Sequence, residues 1–181
     1  MSSSGKVYNF VAFQAGWFAC VLGGVRDKGW IGPLVVIVLL AVHLRIARER
    51  TGEWKLLACS LPIGLAVNTI LQTTGAVVAP GPATGPLWLL ALWPLFATLF
   101  NESMSWLRGR YVLGVALAAV GAPLSYWGGE RAGALVLGER AHVSIPLVIL
   151  TWSLAVAALL ACQQRFTPLT GRTPPRTRSS S

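Results

Sequence analysis

Charge is what this sequence has least of. Asp, Glu, Lys and Arg make up 12% of its 181 residues, where a soluble domain carries about 25%. Only six residues are acidic. The shortage argues against an ordinary water-soluble globule, and a mean hydropathy of +0.62 points the same way. Cysteine is scarce too. Cys20, Cys59 and Cys162 are far apart and odd in number, so neither a disulfide framework nor a zinc site is expected, and each reads as a small packing residue. No phosphate-binding loop, dinucleotide fingerprint, HExxH or GxSxG motif occurs. No metal and no cofactor is therefore expected. The ~10-residue alternation of a transmembrane β-barrel is missing as well.

What is there is long apolar runs, 54% of the chain being hydrophobic. Charges are confined to short gaps between them, the pattern of an all-α, polytopic transmembrane helix bundle. Six spans are expected, near 8–25, 30–46, 54–78, 86–107, 111–128 and 143–163. They form one bundle over residues 1–165. At ~1.5 Å rise per residue, about 17–25 residues cross a ~30 Å hydrocarbon core, and the second and fifth spans are short. Lys6 precedes an apolar run that continues to about Val25 with no small-residue cleavage site, so this run reads as the first span rather than a signal peptide. Pro62 and Gly64 predict a kink in the third span, and APGPATG (Ala79–Gly85) predicts a turn-rich loop.

The net charge of +9 comes from loops and tail rather than from a folded basic surface, so nucleic acid is not an expected partner. With six spans and an inner amino terminus, 11 of the 15 Lys and Arg fall on the inside. The positive-inside rule then places both termini in the cytoplasm. The stretch 166–181, rich in Pro, Arg, Ser and Thr, is expected to be a disordered basic cytoplasmic tail beside anionic headgroups. Trp30, Trp54, Trp88, Trp106 and Trp127 fall at span ends, where amphipathic rings prefer the interface. Trp17, Trp93 and Trp152 fall deeper and are expected to pack inside.

The polar residues within the spans are the candidate site. In the fourth, Thr98, Asn101, Glu102 and Ser105 are spaced to share one helical face. Glu102 is there the one acidic residue inside an apolar span, and an intramembrane carboxylate marks a function by default. Its competing reading is a structural partner of Arg108 or Arg45. His43, at a similar depth on the second span, would give an acid–base or proton-relay pair with Glu102, or else is an interfacial residue near Arg45. These two are the catalytic candidates. Asn68 and Gln72 share a face of the third span, Ser125 and Tyr126 end the fifth, and Gln14 is midway along the first. Asn101, Ser105, Asn68, Gln72 and Tyr126 are the substrate-binding candidates, against the alternative that such groups are interhelical glue. Gly114, Ala118, Gly121, Ala122, Ser125 and Gly129 form a small-residue stripe that permits close helix approach, within the bundle or between copies.

Three phrases, NFVAFQAGWFACVLGG (Asn9–Gly24), PLWLLALWPLFATLFNESMSWL (Pro86–Leu107) and GAPLSYWGGERAGAL (Gly121–Leu135), together resemble an uncharacterised family of small bacterial inner-membrane proteins, a domain of unknown function. The resemblance implies a multi-pass protein of the bacterial inner membrane and brings no established activity. The family pattern has an acidic residue near Asn68 and Asn-His-Ser where this chain has Asn101, Glu102 and Ser103, so the chain departs from it at two polar positions.

Three functional readings follow. The first is a membrane protein that binds or modifies a lipid or other hydrophobic substrate through its intramembrane polar residues. The second is a small transporter or channel subunit, which should show inverted repeats or discontinuous helices; no three-plus-three repeat is evident. The third is a non-catalytic partner in a membrane complex. The expected partners are membrane lipids, a second copy of the chain, or another membrane protein.

Overall fold

Away from water an apolar run can satisfy its own backbone only by coiling, and the six runs become six α-helices. The computed structural model describes residues 3–47, 50–82 and 85–167. The helices are α1 (Ser3–Val25), α2 (Ile31–Ile46), α3 (Arg50–Thr73), α4 (Leu87–Asn101), α5 (Tyr111–Arg131) and α6 (Ala141–Phe166). A 3-10 turn, Ser105–Leu107, precedes α5. Two short strands, β1 (Val77–Val78) and β2 (Val136–Leu137), pair antiparallel with Val77 opposite Leu137. Four helices are long and apolar enough to cross a membrane: α1, α3, α5 and α6. The expected basic tail falls outside the described residues from position 168 onward, as do Arg48 and positions 83–84 of the turn-rich loop.

Several boundaries differ from expectation. The third helix stops at Thr73 instead of Val78. The hydroxyls of Thr73 and Thr74 donate back to the carbonyls of Thr69 and Ile70, and Gly75 turns left-handed at φ 71°, a conformation that glycine adopts freely. The fourth helix ends at Asn101 instead of Leu107 and is the shortest of the six, at 15 residues. The fifth runs on to Arg131, closed by Gly133 at φ 83°. Pro62 and Pro94 sit inside continuous helices and break neither. In the ribbon, β1 takes the last two residues of the expected third span, and β2 lies in the expected connection between the fifth and sixth.

Polar residues are buried within an otherwise apolar core, and large apolar residues also cover the outside. Asn9, Ser60, Asn68, Thr98 and Gln163 are buried, while Phe18, Ile37, Leu65, Leu87, Val120 and Leu154 stand exposed, one on each helix. Such a surface suits lipid rather than water. Close approaches set the packing. Gly64 on α3 leaves room for the Trp93 ring, which a Cβ there would meet at 2.1 Å. Gly32 does the same for the α1 backbone at Cys20. Gly24 receives Trp88, so this tryptophan, expected at an interface, is buried at 4% exposure.

Candidate functional site

One end of the bundle gathers the starts of α1, α3 and α5 with the ends of α2, α4 and α6. His43, in the last turn of α2, places Nε2 at 3.3 Å from Oε2 of Glu53 in the first turn of α3. Both are buried, at 5% and 3% exposure. The atoms face each other without hydrogen-bond alignment, and neither has another hydrogen-bond partner. A carboxylate at a helix start and an imidazole at a helix end both suit the helix dipoles. The acid that meets His43 is thus Glu53, which span-counting leaves in a loop because α3 was expected to begin at Trp54.

Glu102 is not on a helical face with Thr98 and Ser105. It caps α4 with φ −116° and ψ −96°, and the Met104 N–H turns back to the Leu99 carbonyl at 2.7 Å. Ser105 belongs to the separate 3-10 turn. Where the chain leaves α4, Asn9 reaches across from α1. Its Nδ2 donates to Thr98 Oγ1 at 2.9 Å, and its Oδ1 accepts from Ser103 Oγ at 2.8 Å. Glu102 itself is buried at 8% exposure.

Asn101 takes part in a clasp. Its Oδ1 accepts from the Thr167 hydroxyl at 3.1 Å and from Arg108 Nη2 at 3.5 Å. Arg108 also donates to the Thr167 carbonyl and, at 2.8 Å, to its hydroxyl. Desolvation lowers the Arg108 pKa from its ordinary value. The Gln163 side chain, fully buried, donates to the Phe100 carbonyl. The end of α6 is thereby tied to the α4–α5 connection.

Toward the opposite end, a ladder crosses four helices. Trp93 Nε1 on α4 donates to Asn68 Oδ1 on α3 at 3.3 Å. Trp93 stacks on Trp152 of α6 with centroids 4.6 Å apart and planes 25° apart. Trp152 Nε1 then donates to the Tyr126 hydroxyl on α5 at 3.3 Å. Gln72 serves elsewhere: its amide takes both backbone groups of Ala79, donating at 2.6 Å and accepting at 3.1 Å. It clamps the approach to the ribbon.

The third feature is a gap. α1 packs on α2 and α4, and α5 packs on α6, whereas α1 and α5 meet only at a few side chains, Trp17 and Ser125 among them. Between them opens a crevice of about 400 Å³, within the ~300–1,000 Å³ of ligand pockets. Phe10, Phe13, Gln14, Trp17 and Phe18 line it from α1, and Phe96, Phe100 and Trp152 form its floor. The α5 wall carries Leu117 and Leu124 and, between and beside them, Gly114, Ala118, Gly121, Ala122 and Ser125, small side chains that leave the gap open. A Cβ on Gly121 would meet nothing within 4 Å, whereas one on Gly114 would strike Leu160 at 2.6 Å. The stripe thus has two sides, one against α6 and one on open space. Trp17 Nε1 donates to Ser125 Oγ at 3.2 Å across the gap. Both also line a second cavity of about 50 Å³, which reaches Tyr126 and Trp88.

Of the seven candidates, Asn101 is in the clasp, Asn68 and Tyr126 are joined by the ladder, and Gln72 holds a loop. His43, Glu102 and Ser105 are near the first end, and none of the seven lines the large crevice. Glu53 and the aromatic lining carried no signal by composition; a run of phenylalanines at helical spacing reads equally as core. Among the described residues, no group of three His, Cys, Asp or Glu side chains could hold a metal ion.

Residues 6–158 match the model of a family described as protein of unknown function, DUF2878. The chain belongs to that family. The match takes in α1 to α5 and most of α6, so every wall of the crevice lies within the DUF2878 region. No curated protein and no solved structure matches the chain.

Proposed function

We propose that this DUF2878 chain is an integral membrane protein that holds a lipid or other hydrophobic molecule in the crevice between α1 and α5. The observation that carries the reading is the aromatic crevice itself, about 400 Å³ in a bundle whose other helices pack closely. The polar groups suggested by spacing act in this reading as the frame: the Asn101 clasp and the His43–Glu53 pair at one end, the Trp93–Trp152 ladder beyond. We further propose six spans with both termini in the cytoplasm of a bacterium, the protein residing in the inner membrane. The 11 basic residues on one side support that orientation. α2 and α4, at 16 and 15 residues, would cross with the help of their flanking turns and locally thinned lipid.

The test is mass spectrometry of lipids and small molecules that copurify with the wild-type protein and with Gly121→Phe. A Cβ at Gly121 meets nothing within 4 Å, so phenylalanine there adds bulk to the crevice wall. A specific hydrophobic molecule present in the wild type and lost in the variant is the expected result. Bulk phospholipid alone in both samples overturns the reading and favours a structural partner in a membrane complex.

A further inference from the structure

We infer that the crevice takes a neutral lipid with a flat, carbonyl-bearing head, the chemistry of an isoprenoid quinone, and that Gln14 donates the hydrogen bond that holds this head. The inference rests on the reading of the crevice as a lipid site.

Gln14 is the one crevice-lining side chain whose polarity has no use inside the protein. It is exposed and has no hydrogen-bond partner among the described residues. The other polar wall residue, Ser125, is engaged by Trp17. Gln14 is the tenth residue of the 21-residue apolar stretch Gly5–Val25, roughly 14 to 17 Å from either end at 1.5 Å per residue. At that depth an amide without a partner is costly. Phe10, Trp17 and Phe18, at i−4, i+3 and i+4, line the crevice beside it, so the amide shares their face of α1.

The lining also says what the partner is. Among the described residues no charged side chain borders the crevice, so nothing there compensates a phosphate or a carboxylate. Phospholipid headgroups and ester carbonyls stay near the interface, away from the middle of the span. A head that reaches Gln14 is therefore uncharged and lipophilic, with an acceptor for the amide N–H. The aromatic floor of Phe96, Phe100 and Trp152 offers faces and edges to a flat ring. A quinone meets each requirement.

The experiment uses the full chain in nanodiscs, with empty nanodiscs as the blank. Decylubiquinone is titrated while tryptophan fluorescence is followed, and cis-parinaric acid serves as a chain-like lipid probe without a quinone head. Saturable quenching by decylubiquinone is expected in the wild type. Gln14→Met, which keeps the volume and loses the amide, is expected to bind roughly three- to tenfold more weakly with an unchanged unfolding midpoint. Equal binding by wild type and Gln14→Met overturns the role of Gln14. Saturable cis-parinaric acid binding that Gly121→Phe abolishes, with no quinone binding, overturns the ligand class and leaves the crevice reading standing. No binding of either probe overturns both. A dimer of the wild type that Gln14→Met dissolves also overturns the inference, because a second copy would then occupy the amide.

Discussion

Glu53 Oε2 stands 3.3 Å from His43 Nε2 and joins the first turn of α3 to the last turn of α2. Both residues are buried. A buried acid and imidazole support each other and are costly apart.

Glu53→Gln or His43→Leu alone is expected to destabilise the fold by about 3 kcal/mol, because each leaves its partner buried alone. Converting both to Leu should recover much of that loss. A double-mutant cycle on the unfolding midpoint in mixed micelles measures the coupling. Strictly additive losses would show that the two side chains do not act as a pair.

The clasp of Arg108, Asn101 and Thr167 should govern how firmly the end of α6 is held. Arg108→Ala is expected to cost about 1–3 kcal/mol, as for hydrogen bonds to a charged group. Amide exchange in 160–167 should quicken in that variant while exchange in α1 is unchanged. Equal exchange in both segments would remove the clasp from the account.

Trp93 is buried, stacks on Trp152 and bonds to Asn68. Trp93→Ala should cost about 3–5 kcal/mol through the cavity it leaves. Tyr126→Phe removes only an acceptor for Trp152 and should cost about 1 kcal/mol. Thermal unfolding of the two variants checks the ranking, and a reversed order contradicts the ladder.

Cys59 lies on α3 and Cys162 on α6, two helices that pack directly on each other. Mild oxidation of the protein in membranes, with Cys20→Ala to remove the third thiol, is expected to link the two. Peptide mass spectrometry reads the link. Its absence, with a short thiol-to-thiol cross-linker also failing, would mean that α3 and α6 do not pack as described.

Reporter fusions test the proposed orientation. A reporter at the tail should be active only as a cytoplasmic protein, and one within 79–85 only as an exported one. An exported tail would sink the two-termini-inside arrangement.

Helix number and helix type were legible because apolar runs and charged gaps report directly on which segments leave water. Helix ends were less so. The hydroxyls at Thr73 and Thr74, the left-handed Gly75 and the Asn9 contact where the chain turns at Glu102 are local or tertiary details that hydropathy averages away. The candidate residues show the same division. Spacing singled out Asn68 and Tyr126 as polar groups in an apolar setting, yet their link runs through Trp93 and Trp152, far apart in the chain. His43 was visible as a titratable group, whereas its partner depended on how α2 and α3 meet.

Composition and periodicity by themselves determined that this chain makes apolar helices and keeps its charge at their ends. Water rejects such runs, and a coiled backbone satisfies itself, whatever the neighbours are. Only the tertiary structure decided which polar groups meet and where the bundle stays open. Those depend on packing, where the small side chains of α5 close against α6 on one side and leave a gap to α1 on the other.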